Sequence, residues 1–379
     1  MVRFDVVCVV VIFSIILHSK HYCSAFDLKK CKFDQLYQLG DSSSDTGNYI
    51  RESPAGASSV FTRLPYGETF FKKPTGRCSN GLLITDYIAI AAGLPFVEPY
   101  KNTESYFRNG SNYATAGATA LPAGMLSSKN ISSPLTTTSL DVQLDYMFTH
   151  FNGICLKDCT ELLKTALFFV GEIGSNDYSF ALLQGKTIQE TTNLVPDVVF
   201  AIQKGIERVI EYGAIRVVVP GIFPLDYLPY HLTKFETKNV DAYDEYHCLR
   251  NFNDLSKIHN QKLQEAFEEV KIEHPDVTIV YGDYYNANLA LLRNSQQPGF
   301  DAKNVQKSCC GTGGNYNFNF NKKCGDGGVD LCNQPDKYIN WDGFHLTQQA
   351  YRDIAQLIIQ DILPKIKFNA LLFPISMFK

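Results

Sequence analysis

Asp34-Gln35-Leu36-Tyr37-Gln38-Leu39 runs into Gly40-Asp41-Ser42-Ser43-Ser44-Asp45-Thr46-Gly47-Asn48, and this junction decides how the chain is read. The first six residues read as a strand, and the small, polar, glycine-flanked residues after them as a turn. Further along, Ala166 to Val170 is a short apolar run closed by Gly171, the pattern of a strand buried on both faces. Arg216 to Val219 and Val277 to Tyr281 repeat it, and Asn112-Tyr113-Ala114-Thr115 reads as another strand ending in the small-residue turn Ala116-Gly117-Ala118. Helical patterns fall between: Leu82 to Ala92 ended by Gly93, Pro196 to Tyr212, and roughly Phe252 to Val270. In the second of these, Val198, Val199, Ile202, Ile206, Val209 and Ile210 share one face, and Gly213 stands where a helix C-cap belongs. A last helix is expected from about Thr347, burying Ile354, Leu357, Ile358 and Ile362 and stopping before Pro364. Strands alternating with crossover-length helices imply an α/β fold, a mostly parallel sheet covered on both faces. Such sheets bind ligands at the carboxyl ends of their strands.

The 379 residues include 45% hydrophobic, 13% aromatic and 20% charged residues, which excludes a wholly disordered chain. With 35 Lys+Arg against 39 Asp+Glu the net charge is −4, so no strong positive field favours nucleic acid or anionic lipid. No repeat, charged block or Pro/Ser-rich linker marks an internal boundary, and residues 26–379 read as a single domain.

Residues 1–25 read as a signal peptide. Arg3 precedes an apolar run from Val6 to Leu17, roughly 18 Å of helix, which is short of a ~30 Å hydrocarbon core. Cys23, Ser24 and Ala25 then suit a signal-peptidase site. A secretory context permits disulfides. Of the eleven cysteines, removing Cys8 and Cys23 leaves nine, so at least one thiol is unpaired or bridges chains. Cys309, Cys310, Cys324 and Cys332 crowd one Gly/Asn-rich stretch, which reads as a stapled loop, and Cys155 and Cys159 form a second close pair; connectivity is not legible. None shows the paired C-x-x-C spacing of a zinc site. The glycosylation sequons are at Asn109 and Asn130. The apolar stretch 371–378 reads either as a vacuolar sorting tail or as a surface-packing segment.

Four separated clusters carry reactive groups. Ser42, held out in a Gly-flanked turn after a buried strand, is a candidate nucleophile, although the same residues also make an ordinary turn. No G-x-S-x-G elbow is present. A nucleophilic Ser needs a base, and the base an orienter. Two D-x-x-H pairs qualify by spacing: Asp342 with His345, in a Gly-containing loop before the last helix, and Asp244 with His247, in a charged run. A turn of that spacing lets the carboxylate accept Nδ1–H and leaves Nε2 for the Ser proton, and the first pair is preferred because the charged run around the second reads as a solvated face. Acyl chemistry also needs donors for an oxyanion. Gly117 and the Asn176 amide, in Gly174-Ser175-Asn176-Asp177, both stand at strand ends, where close packing or helix capping would equally explain them.

Taken in order, Gly40-Asp41-Ser42, Gly117, Gly174-Ser175-Asn176-Asp177 and Asp342-x-x-His345 resemble the four signature blocks of the plant GDSL esterase/lipase family, within the SGNH hydrolase superfamily. Pro65-Tyr66-Gly67-Glu68-Thr69-Phe70 and residues 74–81 are similar too, and the resemblance runs from about Phe33 to Leu363. It implies a flavodoxin-like three-layer α/β/α fold and ester hydrolysis without metal or organic cofactor. Ser42 would be the nucleophile, His345 the base and Asp342 its orienter, with the Ser42 N–H, Gly117 and Asn176 as the oxyanion hole. Tyr37-Gln38-Leu39-Gly40 and residues 219–224 look most like the acetylajmalan esterase branch, whose known member deacetylates an indole alkaloid. Two positions depart from the pattern: Ser43 replaces a usual apolar residue, with different packing expected beneath the nucleophile, and Leu225-Asp226-Tyr227 replaces a Leu-Gly-Cys-like stretch, with a changed pocket wall expected.

The sequence therefore leads to a monomeric serine ester hydrolase acting on a small acylated plant metabolite, in the apoplast or vacuole, with no nucleic-acid partner and no membrane span. An acyltransferase with the same triad, and a non-catalytic lipid- or sugar-binding protein, are the alternatives. A base must be neutral to work, so activity is expected to decline below about pH 6.5, the reference value for histidine.

Overall fold

The computed structural model describes residue 29 and residues 33–155, 159–293 and 299–366; the expected leader and the 371–378 tail lie outside the described residues. Four strands, β1 (Gln35–Leu39), β2 (Ala166–Val170), β3 (Arg216–Pro220) and β4 (Thr278–Gly282), lie side by side in that order. All three pairings are parallel, with Leu39 opposite Val170 and Val219 opposite Tyr281. A short antiparallel pair, β5 (Cys310–Gly311) with β6 (Asp330–Leu331), stands apart from this sheet.

The strand expected at 112–115 is real in position but irregular. Residues 109–115 run along the open edge of β1: Leu36 N–H donates to Asn109 O (2.9 Å), Gln38 N–H to Ser111 O (3.1 Å) and Tyr113 N–H to Gln38 O (2.7 Å). Only an isolated parallel bridge forms, at Asn112. Gly110 kinks the segment at φ +99°, so close to β1 that a Cβ there would lie 1.9 Å from Leu36 O. On its far side Asn112 pairs with Glu98 and Tyr100 instead of with another strand. Counting this segment second in chain order, the sheet reads 2-1-3-4-5, the flavodoxin-like arrangement, whose switch point lies between β1 and β2.

Alternation along the strands feeds two cores. Tyr37, Leu39, Phe168, Val170, Val217 and Val219 face one; Leu36, Leu167, Phe169, Val218 and Val280 face the other. The first is covered by α2 (Leu140–Ile154), α4 (Val195–Glu211) and α5 (Arg250–Glu273), the second by α1 (Ile84–Ala92), α6 (Tyr284–Arg293) and α7 (Gln348–Ile362). A further helix, α3 (Ser175–Leu183), starts just past β2. Helix α4 buries the stripe expected of it, and its chain reverses at Gly213 (φ +110°). Helix α7 departs from expectation at one residue. Leu357 is 39% exposed, because its core face is set by Ala350, Tyr351, Ile354, Ala355, Ile358 and Ile362, and position 357 lies about 100° off that stripe.

Among the described residues three disulfides join Cys155–Cys159, Cys309–Cys332 and Cys310–Cys324, which resolves the pairing of the stapled loop. Cys78 and Cys248 are buried free thiols.

Three histidines, His150, His231 and His259, are buried, and burial lowers their pKa values to about 4, 3 and 3. His259 meets the Tyr178 hydroxyl through Nδ1 at 2.7 Å. With a folded pKa below the unfolded one, the unfolded chain binds the extra proton first, so this stability is present above about pH 6.5 and lost as the pH falls. His259→Asn keeps an acceptor for Tyr178 but does not titrate. Its deficit in melting temperature against the wild type is expected to shrink between pH 7 and pH 4, as followed by thermal melts; a constant deficit would contradict this burial-driven titration.

Candidate active site

Ser42 stands three residues beyond the end of β1, in a turn closed by Ser44 and Asp45 N–H groups on Asp41 O (3.1 and 3.0 Å). The turn is clamped from below. Gln143 of α2 accepts from Gly40 N–H and donates to Gly40 O, both at 2.8 Å. Gly40 itself leaves no room for a side chain, since a Cβ would lie 3.0 Å from Glu172 O.

The buried Asp45 carboxylate ties this turn to the loop that carries Gly117. It accepts N–H groups of Gly47 (2.7 Å), Asn48 (2.6 Å), Tyr49 (3.0 Å) and Ala116 (2.8 Å). Burial raises its pKa to about 6, against the pull of those same bonds. Gly117 then adopts φ +83°, with a hypothetical Cβ only 2.7 Å from Leu135 Cβ, so both conformation and space require glycine. Asp177 plays a similar role one loop over, accepting from Ala120 N–H (2.8 Å) and Leu121 N–H (3.0 Å), with burial raising its pKa to about 7.

Asn176, in the first turn of α3, donates its amide to Ala118 O (2.9 Å) and to Asp41 Oδ2 (3.1 Å). Burial raises the Asp41 pKa, and that of Glu172 well above the carboxylate range. Burial and the neighbouring Asp41 charge both favour a proton on Glu172, and a hydrogen bond joins the two carboxyl groups.

On the loop before α7, Asp342 Oδ2 lies 2.8 Å from His345 Nδ1, while Asp342 Oδ1 accepts His345 N–H (2.8 Å) and Phe344 N–H (3.0 Å). Tyr66 donates its hydroxyl to the same Oδ2 at 2.8 Å. Burial pushes Asp342 up, but the neighbouring imidazole and these bonds outweigh it and hold the carboxyl below its ordinary value. The group stays ionised, fixes the ring tautomer and leaves Nε2 as the basic nitrogen.

Ser42, Gly117, Asn176, Asp342 and His345 all line one cavity of about 710 Å³. Its walls are rich in aromatic rings. Phe61 packs edge-on to His345 (5.8 Å), Tyr230 stacks on Phe344 (4.4 Å), and Phe318 of the stapled loop meets Phe344 edge-on (5.2 Å). The disulfide-closed segment supplies Phe318, Phe320, Lys323 and Asp326, and Asp326 pairs with Arg63 (2.5 Å). Cys309 and Cys310 N–H groups bond Asn340 and Trp341 carbonyls, so the staple is fastened directly to the His345 loop. The rival pair goes elsewhere: His247 stacks on Tyr243 and lines a separate cavity of about 330 Å³. Ser43 is buried at the cavity wall rather than packed beneath the nucleophile, its N–H held by Asp41 Oδ1 (2.9 Å). Leu225, Tyr227 and Leu228 form part of the wall, but Asp226 is not among the lining residues, which corrects the expectation that it reshapes the pocket directly. With Asp244 and Cys248 it forms a cluster of metal-ligating atoms among the described residues, outside this cavity.

Tyr66, Gln143, Asp45 and Glu172 were not legible as site residues from spacing. Gln143 alone leaves a trace, as a polar residue at a core-facing position of the Leu140, Leu144, Met147 stripe.

The family model for GDSL-like lipase/acylhydrolase matches residues 36–358. Acetylajmalan esterase 1 of Rauvolfia serpentina is 42% identical over 339 residues, covering 89% of this chain and 88% of that protein. A GDSL esterase/lipase of Arabidopsis thaliana is 40% identical over 345 residues, covering 89% and 85%. A phospholipase A1 from Streptomyces albidoflavus overlaps 87% of this chain and 99% of its own, at 15% identity and a TM-score of 0.38.

Tyr66→Phe removes a donor from an ionised carboxylate while leaving the ring in place. Such a bond contributes roughly 1.5 kcal/mol, so kcat for ester hydrolysis should fall about tenfold with KM little changed. Steady-state kinetics showing an unchanged kcat would make Tyr66 packing only.

Proposed function

The chain belongs to the GDSL-like lipase/acylhydrolase family and is a carboxylic ester hydrolase; from that premise we propose that it cleaves a small acyl group, such as acetyl, from a flat aromatic alcohol of plant specialised metabolism. The aromatic-walled cavity around Ser42 and His345 carries this reading. Its size lies in the range of sites for drug-sized ligands, and rings on several walls suit a rigid, apolar alcohol better than a hydrated sugar. The name of the Rauvolfia relatives, acetylajmalan esterase, points to the same kind of substrate.

In the proposed mechanism Ser42 Oγ attacks the ester carbonyl as His345 Nε2 takes its proton. The developing oxyanion is received by N–H groups of Ser42 and Gly117 and by the Asn176 amide, which exchanges its longer bond to Asp41 for it, each such donor contributing roughly 3–4 kcal/mol. His345 returns the proton to the leaving alcohol, and water, activated by the same imidazole, then releases the acid. Asp342 and Tyr66 position the ring. The pairing of Asp342 with His345 at 2.8 Å supports these assignments, as does the sharing of one cavity by all five residues.

The same proposal places the chain, as one domain behind a cleaved leader, in the secretory pathway, for the vacuole or apoplast. Three disulfides suit an oxidising compartment. Asn130, in an exposed turn, offers a more open glycosylation acceptor than Asn109, whose amide is held by Asp34 O (3.0 Å).

A panel of acetylated alkaloids, phenolic choline esters and short p-nitrophenyl esters tests the reading. Ser42→Ala should lower kcat by about 10⁶ and Asp342→Asn by about 10⁴. Acetates of flat aromatic alcohols should exceed those of straight-chain alcohols in kcat/KM by at least about tenfold. Full activity in Ser42→Ala would overturn the mechanism. Equal rates across alcohols would overturn the substrate class, and free acid appearing only after an acceptor alcohol is added would make the protein an acyltransferase.

A further inference from the structure

Two features of the sequence find no use in ester chemistry: Asp226, in Leu225-Asp226-Tyr227, and the Asp244-Glu245-Tyr246-His247-Cys248 run. The fold brings them together. Leu249 N–H donates to Asp226 O (3.1 Å), which lays the 225–228 segment against the 244–248 turn, and carboxylate oxygens of Asp226 and Asp244 and Cys248 Sγ all lie within 4.8 Å of one another.

Asp226 is the informative member. Its side chain is fully buried, and among the described residues neither carboxylate oxygen has a hydrogen-bond partner beyond its own backbone N–H. A buried carboxyl in that state costs free energy, and in a folded protein it calls for a proton or a cation. The surrounding groups do not supply the charge: Asp244 and Asp254 oppose ionisation, and only Lys257 favours it.

The other two members are arranged as ligands of a metal ordinarily are. Asp244 Oδ1 is oriented by N–H groups of Tyr246 and Cys248, both at 2.9 Å. Gln306 donates its amide to Cys248 Sγ (3.5 Å), while burial and the two neighbouring carboxylates push the thiol up and it donates to Tyr246 O (3.6 Å), so a cation must displace that proton. Such outer bonds aim ligands and raise their affinity. Cys248 is almost fully buried, whereas Asp244 is half-buried and leaves a route for an ion and a water to enter.

We propose that Asp226, Asp244 and Cys248 form a binding site for a zinc-type divalent transition-metal ion, completed by water, that clips one wall of the ester cavity to the 244–248 turn. Thiolate with carboxylate selects zinc over calcium or magnesium. Tetrahedral zinc holds such ligand atoms roughly 3.5 Å apart, so atoms that lie within 4.8 Å close by up to about 1.3 Å on binding. The Cys248 proton leaves for solvent, and with it any proton carried by Asp226, so affinity rises with pH. Leu225, Tyr227 and Leu228, on either side of Asp226, are cavity-wall residues, so the ion would stiffen the wall without touching the substrate.

The test takes the full mature protein, strips it with EDTA and titrates it with cobalt(II). One equivalent should bind with a thiolate-to-cobalt charge-transfer band, which zinc displaces, and zinc should raise the melting temperature by a few degrees. Cys248→Ser should abolish the band, and Asp226→Asn should weaken binding by more than about tenfold. Asp226→Asn also separates the ion from ordinary packing. In EDTA it should melt at or above the wild type, because a buried carboxyl without partners has gone, and in zinc it should melt below it. No band, a band that survives in Cys248→Ser, or the same order of melting temperatures with and without zinc would overturn the proposal.

Discussion

The architecture of the site depends on one buried carboxylate. Asp45 gathers four backbone N–H groups, three from the turn after β1 and one from Ala116, seventy-one positions further along. Without it those donors would be buried and unpaired, at roughly 1–3 kcal/mol each, and the two loops would be left with the ties through Asn176 and from Thr115 N–H to Gly40 O. Oxyanion chemistry is a matter of donors held in advance at the right place. Here the holding is done by Asp45, by Gln143 gripping Gly40 on both sides, and by Asp177 fastening the loop beyond Gly117. On the proposed assignment, oxyanion chemistry at this site rests on polar groups that do not line the cavity.

A second layer of constraint comes from the staples. The Cys309–Cys332 and Cys310–Cys324 bridges close a Gly/Asn-rich segment that has little regular structure of its own. Backbone bonds from Cys309 and Cys310 to Asn340 and Trp341 then hang that segment on the His345 loop. Gly343 lets the two approach, since a Cβ there would overlap the Phe318 ring at 2.2 Å. His345 and the aromatic wall are thus fastened to one another, and the disulfides help to shape the cavity.

Much of the fold was legible because strand and helix periods are local: β2, β3 and α4 fall within a residue or two of where apolar spacing puts them. The 109–115 edge resisted, because a glycine kink and pairing on both sides replace a regular ladder. Leu357 was misplaced by reading apolar character without the helical angle. The candidate site residues, which the fold gathers on one cavity, stood out since each has few chemical uses in its setting. Their supporters did not: the reach of Tyr66 to Asp342 spans 276 positions, and no spacing rule carries that far. Choosing between the two D-x-x-H pairs likewise needed the tertiary fold, which sends His247 to another cavity.

The central claim is that Ser42 Oγ, His345 Nε2 and the three oxyanion donors converge on one reacting carbon. A crystal structure of the protein inactivated with a fluorophosphonate reads this directly, because the phosphonyl group mimics the tetrahedral intermediate. The account predicts phosphorus bonded to Ser42 Oγ, with its oxygen about 2.7–3.1 Å from the Gly117 N–H and the Asn176 amide and with His345 still paired to Asp342. Phosphonylation of another residue, or an oxygen turned away from both donors, would contradict it.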